Sequence, residues 1–350
     1  MKKAIIILTI TLLIVGGFYY IGTHYQDEIY VFYRENVLKV KDDIKLEKNE
    51  YYKDKDYSYV QNTNDFVAKD KKHLLNIFYT VINSGMNKFT FYCDESYKSC
   101  TNDVIELVSN KETLSNVNNF VHPYNSFETI NASYDDYGQI DLTINKVYSE
   151  KDIKILNNEV DKIIKSKIKK KMSVEKKIEV IHNYIINNGK YATDKIRKKY
   201  PDKSYNKAGD ILINKVGLCS AYSDAMALFL YEFGVDNYKI ASDSHIWNLV
   251  NINNKWLHLD LTWDDPVTQT GVQKLETIFM LIDNDELNKL KVSKHKFDKT
   301  IYKEALNWPP YFSNIIVIGP SFVKDTCISS PNMPSSTFSP VSFNFLLNLL

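Results

Sequence analysis

Two alternating runs on either side of Asn253-Asn254 constrain this chain more than any other feature. In Asp243-Ser244-His245-Ile246-Trp247-Asn248-Leu249-Val250, an extended strand puts His245, Trp247 and Leu249 on one face and Ile246, Asn248 and Val250 on the other. Lys255-Trp256-Leu257-His258-Leu259-Asp260 forms the next strand. The two asparagines make a tight turn, so the runs predict a hairpin. Its open end brings His245 and Asp260 close. A carboxylate beside an imidazole fixes the tautomer and stabilises the imidazolium.

Upstream, Gly217-Leu218-Cys219-Ser220 leads into a stretch whose Ala221, Ala225, Leu228 and Phe229 form one apolar face and which Gly234 ends. This predicts a helix with Cys219 at its N-terminus. Unpaired N–H groups and the positive end of the dipole stabilise a thiolate there. The Cys219 N–H is then an oxyanion donor, and Gly217 lets backbone approach closely. An imidazole that takes the thiol proton completes the Cys–His pair of nucleophilic catalysis. The candidate catalytic residues are therefore Cys219 as nucleophile, His245 as base and Asp260 as the group that orients the base. His258 fits packing better than a second base. Asp264-Asp265-Pro266 reads as a turn that stops the strand rather than as a cation site. Tyr222, Trp247 and Trp263 are candidate substrate-binding residues, with core packing as the alternative for each.

Three ordered segments carry a resemblance. Gly217-Leu218-Cys219-Ser220-Ala221-Tyr222, then His245-Ile246-Trp247-Asn248, then Trp256 to Asp264 resemble the core of the transglutaminase-like superfamily, over roughly residues 175 to 285. One departure is Leu261, where the family often has proline. The resemblance implies an α+β, papain-like fold with the nucleophile helix packed on an antiparallel sheet. It also implies a triad at Cys219, His245 and Asp260 and thioester acyl transfer on protein or peptide amides. Hydrolysis by water and cross-linking by an amine share the first half-reaction and stay open. The alternative is a catalytically inert surface binding module on the same scaffold. Cys93 to Cys100 resembles N-terminal extensions of bacterial, Gram-positive members.

The remaining sequence sets the organisation. Residues 1–25 are basic at Lys2-Lys3 and apolar from Ala4 to Gly22 apart from threonines. At about 1.5 Å per residue, such a helix spans roughly 28 Å, close to a bilayer's hydrocarbon thickness. The expectation is an uncleaved single-pass transmembrane helix with the catalytic region outside the cell; secretion after signal cleavage is the alternative. Residues 26–60 read as a stalk. Residues 61–150 read as a small α/β region, with a helix at Lys72 to Ile82 and strands at Phe89 to Tyr92 and Ile140 to Ile144. This region is also a candidate partner-binding end. Residues 151–310 hold the core, opened by helices from Asp152 to Lys170 and from Ser173 to Gly189. The lysine-rich run Lys165 to Lys171 reads as a solvated face, and residues 311–350, rich in proline and serine, as a poorly ordered tail.

Composition removes other classes. The net charge of +1, from 44 basic and 43 acidic residues, argues against nucleic acid as a partner. Four cysteines without a CxxC pair argue against a disulfide scaffold and a structural zinc, and no metal or cofactor is expected. Cys93 and Cys100 are either a disulfide or two thiols, since their spacing fixes no Cα distance. Cys327 reads as incidental. The expected partner is a protein or peptide substrate at the cell envelope.

Overall fold

The computed structural model describes residues 2–33, 44–265 and 276–306. The predicted tail at 311–350, with Cys327, and Pro266 of the predicted strand-stopping turn lie outside these residues. The chain opens with helices α1 (Lys2–His24) and α2 (Gln26–Phe32). The expected transmembrane helix is corrected here: among the described residues, no helix is long and apolar enough to cross a membrane. Thr9, Thr11, Gly16-Gly17, Tyr19, Tyr20 and Thr23 dilute the apolar run of α1. The Thr11 and Thr23 hydroxyls turn back onto the Ile7 and Tyr19 carbonyls, each at 2.9 Å.

Next come β1 (Val67–Ala68), α3 (Lys71–Ser84), β2 (Lys88–Cys93), α4 (Cys100–Ser109), α5 (Lys111–Phe120), β3 (Phe127–Tyr134) and β4 (Gln139–Lys146). The four strands form one sheet in the order β1-β2-β4-β3. Asp70 caps α3 by accepting the His73 N–H, and Gly85 closes it in the left-handed conformation at φ 78°. Cys93 and Cys100 form a disulfide that ties the end of β2 to the start of α4. In the segment read as a stalk, Tyr51, Tyr57 and Val60 are buried. There the Lys53 ammonium donates to the Phe120 carbonyl at 3.2 Å and the Asn237 carbonyl at 2.5 Å. Burial lowers its pKa to about 8.

The second half runs α6 (Glu150–Lys167), α7 (Val174–Asn188), β5 (Lys190–Tyr191), α8 (Asp194–Lys199), α9 (Ala208–Leu212), β6 (Val216–Gly217), α10 (Cys219–Glu232), β7 (Asn237–Ala241), β8 (Ile246–Ile252), β9 (Lys255–Leu259), β10 (Met280–Ile282) and α11 (Asn284–Lys289). Ser149 and Asp152 close a capping box on α6, and Ser173 caps α7. Strands β10-β9-β8-β7 form a second sheet, all antiparallel. Asn253 and Asn254 both take positive φ, 52° and 63°, in the two-residue turn between β8 and β9.

The alternation in β8 decides what the sheet buries. Trp247 and Leu249 join the core of the N-terminal region, beside Phe78, Phe91 and Phe120. Val250 and Ile252 join the other core, with α7 and α10. One sheet thus serves two hydrophobic cores, and its strands read as buried on both faces.

Candidate active site

Helix α10 is held at its start, along its length and at its base. Gly217 sits where a Cβ would come within 2.7 Å of the Ala221 Cβ and 3.2 Å of the Ile211 Cβ. Only glycine lets β6 pass this close before the chain turns into the helix. Cys219 is the first residue of α10 and is buried. One turn on, the Ser223 hydroxyl lies 2.8 Å from the Cys219 carbonyl and 3.1 Å from the Ile246 carbonyl. The Asn248 amide donates to the Ser223 carbonyl at 2.9 Å. The cysteine end of the helix is therefore fixed to the residue that follows His245. Deeper in, Asp224 accepts from the Lys239 ammonium at 2.6 Å and the Tyr148 hydroxyl at 2.7 Å.

His245 immediately precedes β8 and Asp260 immediately follows β9. The register pairs Asn248 with Leu259 and Leu249 with His258. Continued to the open end, it sets His245 diagonally from Asp260 on one face, within reach of side chains. His245 Nε2 and Asp260 Oδ2 are 2.5 Å apart. The other oxygen of Asp260 accepts the backbone N–H of Thr262 at 2.9 Å and of Trp263 at 3.2 Å. Burial alone would raise this carboxyl. The charge and hydrogen bond of His245, joined by those of His295, outweigh burial and hold it well below the usual carboxylate range.

His295 is a residue that sequence reasoning missed. It ends a 3-10 turn, Ser293–His295, and places Nε2 2.8 Å from Asp260 Oδ2. Phe279 stacks on its ring at 4.9 Å, and Trp247 and Trp263 flank it at 4.8 and 5.1 Å. Lys294-His295-Lys296 has no alternation and no neighbouring motif to mark it. Among the described residues, His245, Asp260 and His295 are the group whose donor atoms, all within 4.8 Å of one another, could hold a metal ion. Within this group, both histidines are hydrogen-bonded to Asp260 through Nε2.

The other candidates fall around this centre. Trp247 is buried, lies parallel to the His245 ring at 5.6 Å, and donates its indole N–H to His258 Nδ1 at 3.0 Å. Burial lowers the His258 pKa to about 3, so this ring is a neutral acceptor. Trp263 is half-buried, its ring 6.4 Å from that of His245. Tyr222 is buried and donates to Asp265 at 2.6 Å; burial and the Asp265 charge push its hydroxyl pKa up. Leu261 to Asp265 form a turn, in which Asp264 meets His182 of α7 at 3.0 Å, both fully buried. Burial raises the Asp264 carboxyl despite that bond. His182 is a second residue with no signal in the sequence beyond its place on the inner face of α7.

A helix that opens on a buried cysteine, packed on an antiparallel sheet that carries a His–Asp pair, lies at the centre of this α+β protein. Residues 161–261 match the model of the transglutaminase-like superfamily. They include Cys219, His245 and Asp260, and the chain carries a transglutaminase-like core over this span. That superfamily is broadly one of cysteine proteases and acyltransferases. No curated protein matches the chain. Among solved structures, a crystal structure of a TGase is 13% identical, with a TM-score of 0.29, over 39% of this chain and 45% of its own. A candidate cysteine protease from Cytophaga hutchinsonii is 12% identical, with a TM-score of 0.24, over 38% of this chain and 61% of its own. The chain thus spans less than two thirds of either.

Proposed function

We propose that this protein is a cysteine-dependent acyl-transfer enzyme acting on protein or peptide amides. The observation that carries the proposal is the His245–Asp260 contact at the end of the strand to which the start of α10 is bonded through Ser223. With Nε2 committed to Asp260, Nδ1 is the ring nitrogen left to serve the thiol. The Cys219 proton passes to His245, and Asp260 stabilises the resulting imidazolium. The thiolate, further favoured by the positive end of α10, attacks the amide carbonyl. His245 then gives its proton to the leaving amine as the C–N bond breaks, and a thioester remains. Water closes the cycle as hydrolysis, or a second amine closes it as cross-linking. The Cys93–Cys100 disulfide supports an oxidising compartment outside the cytoplasm as the place of action.

The test is the pH profile of Cys219 alkylation by iodoacetamide on the full chain. A His-paired thiolate keeps its rate well below the usual thiol pKa of about 8.5. His245→Ala should return the profile to that of an ordinary thiol. A wild-type profile that already tracks an ordinary thiol would sink the proposal. Peptide adducts recovered on Cys219 by mass spectrometry, and their release by water or amine, then separate hydrolysis from cross-linking.

A further inference from the structure

A cavity of about 590 Å³ lies immediately before the nucleophile, walled by Leu218, Tyr205 and Asn206 and by the cations of Arg197, Lys198 and Lys203. It is built into the same backbone that positions Cys219. Leu218 caps α10 and donates its N–H to the Tyr205 carbonyl at 2.7 Å. Ser220, the residue after the cysteine, donates to Asn206 at 3.0 Å. Whatever fills this cavity therefore touches Leu218, the residue that precedes Cys219 in the chain, on the side where the helix begins.

The charge of the lining is unbalanced. Asp194 is its one carboxylate, and it is engaged by the Arg197 guanidinium. Arg197 Nε is buried and, among the described residues, has no hydrogen-bond acceptor. Lys198 and Lys203 have no ion-pair partner among the described residues; Lys203 lies over the Tyr200 ring at 5.1 Å. Three cations against one occupied carboxylate leave an excess of two positive charges facing the cavity. The volume is that of a peptide-sized subsite, apolar at Leu218 and Tyr205 and cationic at its rim.

We infer that this cavity is a subsite for a carboxylate borne by the peptide substrate, so that the enzyme selects acidic segments next to the amide it attacks. The inference rests on the proposed acyl-transfer reading for its meaning, but the binding itself needs no thiol chemistry. Arg197 supplies the planar donor that suits a carboxylate, and the lysines supply point charge.

The test uses the full chain carrying Cys219→Ala and four fluorescein-labelled peptides of one length: tetraglutamate and tetraglutamine, each with a free or an amidated C-terminus. Fluorescence anisotropy at low salt should show tetraglutamate bound about tenfold more tightly than tetraglutamine, as two or three exposed ion pairs provide. The preference should fade as salt rises. Amidation that leaves the tetraglutamate preference intact assigns the site to acidic side chains; free-acid tetraglutamine that binds as tightly as tetraglutamate and loses its affinity on amidation reveals a terminal-carboxylate site and overturns the selection of acidic segments. Lys198→Gln combined with Lys203→Gln should erase the preference without lowering the melting temperature, since both side chains are exposed. Equal affinities, or a preference that survives the double substitution, overturn the inference. Because binding is read without the thiol, normal Cys219 alkylation with no acidic preference sinks the subsite alone. An ordinary Cys219 profile with the preference intact sinks the catalytic reading alone.

Discussion

Asp260→Asn isolates the contribution of one charge at constant shape. Asp260 accepts from His245 and His295 through one oxygen and from two backbone N–H groups through the other. An asparagine that keeps its carbonyl on the backbone donors turns its NH2 toward both histidines. His245 must then present Nε2 as an acceptor and carry its proton on Nδ1, the nitrogen the thiol needs. A charge-assisted bond of this kind contributes roughly 1.5–3 kcal/mol more to the ionised than to the neutral pair. At about 1.4 kcal/mol per decade, Cys219 alkylation at pH 6 should fall about ten- to a hundredfold. The acid limb of stability should change as well. The folded pKa of Asp260 is depressed, so its contribution is present above the unfolded value near 3.9 and lost as pH falls through the folded value. The asparagine variant lacks that loss, and its unfolding midpoint in urea should depend less on pH below about 4. Alkylation rates from pH 4 to 9 and urea titrations over the acid range check both parts. An Asp260→Asn chain with the wild-type alkylation profile would refute the role assigned to the carboxylate.

Other substitutions follow from single contacts. Cys219→Ala should abolish alkylation at this position while moving stability by about 1 kcal/mol or less, because alanine suits a helix and removes only a sulfur; mass spectrometry and a thermal melt read the two effects. Gly217→Ala forces its Cβ against Ala221 and Ile211, and should destabilise by about 1–3 kcal/mol in urea unfolding and slow Cys219 alkylation together. Replacing both Cys93 and Cys100 by serine opens a short loop and should cost about 2–3 kcal/mol in urea unfolding. His258 is buried as the neutral ring with its pKa lowered to about 3, so its contribution is intact above about 6.5 and falls as pH drops below that. His258→Gln keeps an acceptor for the Trp247 indole and should reduce the slope of stability against pH between about 4 and 6 by up to one proton.

The parts of the site legible in the sequence are those set by local rules. Asn253-Asn254 determined the hairpin because few residues accept two consecutive positive φ angles. The hairpin in turn fixed the faces of His245 and Asp260, whose contact is a matter of register. Ser173 announced its helix through a side-chain cap that needs only three residues of context. The start of α10 was legible from Gly217 and Cys219 for a similar reason. What stayed hidden depends on contacts between distant segments. His295 reaches Asp260 across 35 residues from outside any periodic run, and His182 reaches Asp264 across 82, where its place on the inner face of α7 marks it only as core. The same holds for Tyr51, Tyr57 and Val60. Tyrosines among lysines and aspartates read as a solvated stalk, yet the Tyr51 ring packs against His122 and Tyr124 and the Tyr57 ring against Phe120 and Tyr238. An aromatic ring buries a large apolar area in the middle of a polar stretch, so average polarity is a poor guide where tyrosine is abundant. With 25 tyrosines in the chain, that bias acts widely. It explains why the half that carries the candidate site, organised by alternation and caps, was easier to read than the tyrosine-rich segment before β1.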